Sequence, residues 1–131
     1  MLLDERIRPD GSLARSWGTA IDGKLHLVDD DGARGELSMA AVDRVMGRYG
    51  KPLDEAILAS GALTGPVLAL ADGATLRRFR YHTPVDATGR DYLVWERRDQ
   101  EPLAVVATMA TAALRYLVLR LAGEHPQETE T

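Results

Sequence analysis

An α+β domain is predicted, with an antiparallel sheet packed against helices in the approximate order ββα(α)βββα. Three observations predict it. Two Asp-Gly pairs, Asp22-Gly23 and Asp72-Gly73, separate short apolar runs in the manner of tight hairpins, because both residues accept the positive φ such turns need. The stretch 39–49 carries apolar residues at helical spacing. A long, nearly all-apolar stretch, 102–122, then closes the domain.

Taken in order, residues 1–12 are polar and are expected to form a flexible arm. Runs 14–20 and 24–28 flank Asp22-Gly23, and in the second of them Leu25 and Leu27 face one side and His26 the other. A Gly/Asp loop follows at 29–35. Ser38 has the character of a helix N-cap, a hydroxyl able to accept from an orphan N–H of the first turn. In the helix that follows, Met39, Val42, Val45, Met46 and Tyr49 share one face and Asp43, Arg44 and Arg48 the other. Gly50 is expected to end this helix in the left-handed conformation. A second short helix is expected at 53–60. Then come a strand at 67–71, the Asp72-Gly73 turn, and strands at 75–83 and 92–98 joined by a turn-rich loop at 84–89. Residues 1–123 are read as one domain and 124–131 as a disordered acidic tail.

The 102–122 stretch has Pro102 in its expected first turn, and Thr108, Thr111 and Arg115 draw one narrow polar stripe. As a helix of 21 residues it would be about 31 Å long. Two arginines in its second half, at roughly 3 kcal/mol each near a bilayer centre, argue against a membrane span. A single sheet covers one side of a helix, whereas one apolar nearly all round has to be buried all round. A second subunit is therefore expected against it, with Leu114, Leu117, Val118 and Leu121 as interface residues and a homodimer as the simplest assembly.

Composition bounds the chemistry. The 131 residues suffice for one core, and a charge of −4 weighs against general binding to nucleic acid or anionic membranes. The chain has no cysteine, which excludes disulfides, thiolate catalysis and Cys-ligated metals. The first residues, Met-Leu-Leu-Asp-Glu-Arg, carry charge too early for a secretory leader, so a cytoplasmic location is expected. His26, His82 and His125 lack the spacing of a local metal motif, and Asp29-Asp30-Asp31-Gly32 lacks the register of a calcium loop and reads as a solvated turn. No cofactor is implied.

One cluster stands out. Arg77, Arg78, Arg80, Arg90, Arg97 and Arg98 form a basic stretch in an acidic protein, with Arg78, Arg80 and His82 on one strand face and Arg77, Phe79 and Tyr81 on the other. Three functions follow. The leading one is a small non-catalytic accessory protein acting by association, as a homo-oligomer or a subunit of a larger assembly, through its terminal helix. The second is an anion- or nucleic-acid-binding module using Arg78, Arg80, His82, Arg90 and Arg98. The third is a small enzyme or ligand-binding domain whose pocket gathers His82, Tyr81, Asp91 and Arg80.

Overall fold

The computed structural model describes residues 1–53, 63–83 and 86–124. The α+β class stands, built from two antiparallel sheets and two long helices. The first sheet has the order β1-β2-β3-β4, from β1 (Leu2–Ile7), β2 (Leu13–Ile21), β3 (Lys24–Asp29) and β4 (Arg34–Leu37). Helix α1 (Met39–Tyr49) crosses to the second sheet, of order β5-β9-β8-β7-β6. Its strands are β5 (Lys51–Pro52), β6 (Val67–Ala69), β7 (Thr75–Thr83), β8 (Asp86–Glu96) and β9 (Leu103–Val106). Helix α2 (Ala107–Glu124) follows β9 directly and packs against β1, β3, β4, β8, β9 and α1.

The hairpins form as their turn residues require. Asp22 and Gly23 adopt φ of 52° and 75° between β2 and β3, and Asp72 and Gly73 adopt 59° and 74° before β7. Leu25 and Leu27 are buried, with half-buried His26 on the opposite face. The Ser38 hydroxyl accepts from the Ala41 N–H at 3.2 Å, and Val42, Val45 and Met46 form the buried face of α1. One main core joins both sheets to both helices, with Leu3, Leu27, Val42, Leu93, Trp95 and Leu114 among its members. Each fully buried aliphatic side chain contributes about 1.5–3 kcal/mol.

Several expectations are corrected. Residues 2–7 are an edge strand rather than an arm: Leu3 is buried, and the Met1 ammonium donates to the Gly18 carbonyl at 2.7 Å. The charges that made this stretch read as polar lie largely on the solvent side, where Glu5 pairs with Arg15 at 2.6 Å. The loop expected at 29–35 ends before Arg34, where β4 begins. Gly50 is extended, with φ of −79°. It is glycine for want of space, since a Cβ there would overlap the Met46 carbonyl oxygen and lie 2.8 Å from Leu103 Cβ. The last helix starts at Ala107, not at 102, because 103–106 is a Val-containing strand paired with β8. Strand β8 also reaches back to Asp86, into the expected 84–89 loop. The expected helix at 53–60 and the acidic tail lie outside the described residues, apart from buried Leu53 and from Glu124, which ends α2.

Of the acidic 29–31 run, Asp30 and Asp31 lie in an exposed turn as expected, whereas Asp29 does not. Asp29 is buried; its Oδ2 lies 3.1 Å from the Ser16 hydroxyl and 3.0 Å from Arg115 Nε of α2. Asp31 collects Arg6 at 2.9 Å and Arg8 at 2.6 Å, and its carboxyl is held below the usual range chiefly by the Arg8 hydrogen bond. One turn before Arg115, the buried Thr111 hydroxyl has no hydrogen-bond partner among the described residues. Thr111→Val is therefore expected to hold or raise the melting temperature, by up to about 1 kcal/mol of stability, in a thermal melt; a fall would show that the hydroxyl is satisfied.

Candidate functional site

The arginine-rich strands β7 and β8 are neighbours in the second sheet. The register pairs Arg80 with Asp91 and Arg78 with Leu93, so Arg78, Arg80 and Asp91 share a face. The Asp91 carboxylate accepts from Arg78 Nη2 at 2.6 Å and from Arg80 Nε at 2.7 Å. These bonds, that from Arg80 foremost, hold the Asp91 carboxyl at about 2. Arg77 pairs with Glu96 at 3.3 Å and Arg97 with Asp43 at 3.3 Å. Four of the six clustered arginines are thus spent on carboxylates. Arg90 borders a polar cleft with Asp4, Glu5 and Thr108, whereas Arg98 lies beside Gly73, beyond the other end of β8. His82 is exposed, with its imidazole over Gly89. Of the five proposed anion-binding residues, Arg98 therefore lies apart, whereas Arg90 shares its cleft with the Asp91 that Arg78 and Arg80 bond.

The expected pocket at His82, Tyr81, Asp91 and Arg80 does not assemble, because Tyr81 lies on the opposite strand face, stacked on Phe79 with ring centroids 6.3 Å apart. His26 belongs to the other sheet and faces Glu36 at 3.3 Å. Among the described residues no group of three or more His, Asp or Glu is placed to hold a metal ion.

The Asp91 pairing has a pH signature. Its pKa is lowered from 3.8 to about 2, so the stability it contributes is complete above the ordinary carboxylate range and is lost as pH falls through about 2. Burial raises the pKa of nearby Asp4, which works in the opposite direction, since acid relieves that cost. Asp91→Asn is expected to cost about 1–2 kcal/mol at pH 7, solvent screening taking part of the nominal value. In urea titrations the gap between the two proteins should shrink to under half at pH 2.5. A gap unchanged with pH would refute the assignment.

The interface residues expected on the terminal helix are largely claimed by the chain itself. Leu114 and Val118 are buried in the main core, and Leu117 and Leu121 are half buried against it. The helix is apolar in several directions because it touches two sheets and α1, so intramolecular packing accounts for much of what pointed to a second subunit. Met109, Tyr116 and Leu119 nevertheless remain 50%, 65% and 51% exposed.

Two joined clefts run beside them. One, of about 390 Å³, lies where α1, β5, β7, β8 and β9 meet and is walled by Tyr49, Leu53, Phe79, Tyr81, Tyr92 and Met109. The other, of about 480 Å³, is the groove between α1 and α2, floored by Val45, Ala112, Ala113 and Leu117 and flanked by Tyr116. They share Tyr49 and Met109, so they form one continuous surface. All four tyrosines of the chain line it. So do Arg44, Arg48, Lys51 and Arg120, and no carboxylate does so among the described residues. Sequence reading assigned Arg44 and Arg48 to the solvated face of an amphipathic helix; nothing local marks them as neighbours of Tyr116, which is 68 positions or more away.

No family model, curated protein or solved structure matches this chain. Among the described residues no helix is long and apolar enough to cross a membrane.

Proposed function

We propose that the protein is a non-catalytic association module, an accessory subunit that docks a partner over the α1–α2 groove and its adjoining cleft. The observation that carries this reading is the continuous surface of four tyrosines and half-exposed Met109 over an Ala- and Leu-floored groove. Exposed apolar surface gathered in one concave place is what partner sites offer, and tyrosine and methionine are residues that interfaces favour. The Asp91 pairing takes weight from the alternative in which the arginine strands bind anions, because two of the proposed residues are already engaged there.

A photo-crosslinking amino acid placed at Tyr116, with Thr19 on the first sheet as control, tests the reading in cells that normally make the protein. A discrete adduct is expected from position 116 and not from position 19. No position-specific adduct would overturn it, and an adduct of twice the chain's mass would assign the face to a second copy instead.

A further inference from the structure

We infer that the segment seated in this groove is an acidic amphipathic helix of another protein, its carboxylates over Arg44, Arg48 and Lys51 and a bulky apolar side chain in the Tyr49–Tyr81 cleft; the inference rests on the association reading above. The charge pattern is the first support. The chain carries −4 overall, yet this surface is lined by cations without a carboxylate among the described residues. Elsewhere eight of eleven arginines hold carboxylates in ion pairs, Arg34, Arg90 and Arg98 being the other three, whereas Arg44, Arg48 and Lys51 hold none among the described residues. Cations kept unneutralised around an apolar floor favour a partner that supplies the anions.

Geometry is the second support. Arg44 and Arg48 stand one helical turn apart on α1, a rise of about 6 Å, which matches carboxylates at i and i+4 of a partner helix. Ala112 and Ala113 leave the groove floor low enough for a helix to settle between α1 and α2. The adjoining 390 Å³ cleft, walled by aromatic rings, has room for one or two large apolar side chains.

The other occupants fit less well. In a twofold dimer this surface would meet itself, setting cations against cations. Among the described residues the chain has no acidic helix to offer, since α1 contains Asp43 and α2 contains Glu124 as their carboxylates. Single-stranded nucleic acid needs open ring faces for its bases. Here the Arg48 guanidinium lies 5.4 Å from the Tyr49 ring centroid, and Tyr81 is stacked on Phe79.

The test pans a phage-displayed library of random 16-residue peptides on the full-length protein. Synthetic versions of the enriched peptides are then measured by fluorescence anisotropy at 50 and 300 mM NaCl. Enriched sequences are expected to be net acidic with at least one Phe, Trp or Leu. Their affinity should fall tenfold or more at the higher salt and in Arg44→Glu/Arg48→Glu, fall also in Tyr116→Ser, and stay unchanged in Lys24→Gln. Neutral or basic winners, lost in Tyr116→Ser but indifferent to the arginine reversal, would overturn the inference and leave the association reading standing. No enrichment, or winners indifferent to both variants, would overturn both. A 20-residue oligo-dT bound more tightly than any peptide, through Arg44 and Arg48, would replace both with nucleic-acid binding.

Discussion

Arg115→Leu is expected to lower stability by about 3 kcal/mol, seen as a drop in melting temperature of roughly 10 °C. The Asp29 side chain is 2% exposed, so it cannot recover hydration when its guanidinium partner is removed. An isolated buried carboxylate is among the costliest defects a core can carry. The expected loss sits at the lower end of that range because Asp29 still accepts from the Ser16 hydroxyl and the Asp31 N–H. The loss should also exceed what the same change costs at a surface pair such as Arg15–Glu5, where exposed ions contribute about 0–1 kcal/mol. Adding Asp29→Asn to Arg115→Leu should return part of the stability, since the buried charge goes with its partner. A double-mutant cycle measured by urea unfolding checks the pair directly. If Arg115→Leu alone is silent, α2 is held to the first sheet by apolar packing and not by this ion pair.

Gly50→Ala is expected to cost about 3 kcal/mol, and Gly50→Asn at least as much. The ranking carries the argument. A glycine in the left-handed region is replaced more cheaply by Asn than by Ala, because Asn tolerates positive φ. At φ of −79° either residue fits the backbone, and the obstruction is contact with the Met46 carbonyl and Leu103. The larger side chain should then be the worse one. Relief of the clash would move the end of α1 away from β9, which also opens the cleft under Tyr49. Denaturant midpoints of the two variants decide it: an Asn variant more stable than the Ala variant would return Gly50 to the left-handed conformation.

Much of the architecture can be read along the chain wherever a local rule governs the outcome. The two Asp-Gly turns, the Ser38 cap, the buried face of α1 and strand β7 follow from φ preference, capping and periodicity over a few residues. Other features depend on contacts between distant segments. Residues 2–7 form a strand because β2 offers an edge and the core admits Leu3; their own composition is polar. Residues 103–106 leave the apolar run to pair with β8, which has no counterpart in a helical count of that run. The 102–122 run shows a demand for burial along the chain, but not that two sheets and α1 meet most of it and leave Met109, Tyr116 and Leu119 exposed. The same holds for charge. Arginines 77 to 98 look like a basic site as a string, and pairing across strands neutralises four of them. Arg44, Arg48 and Tyr116 look unremarked as a string, and the crossing of α1 and α2 assembles them into one groove, continuous with the cleft that Lys51 lines. Local rules act over a turn of helix or a hairpin, whereas burial and electrostatic pairing act through space, so the groove exists only once the chain has folded.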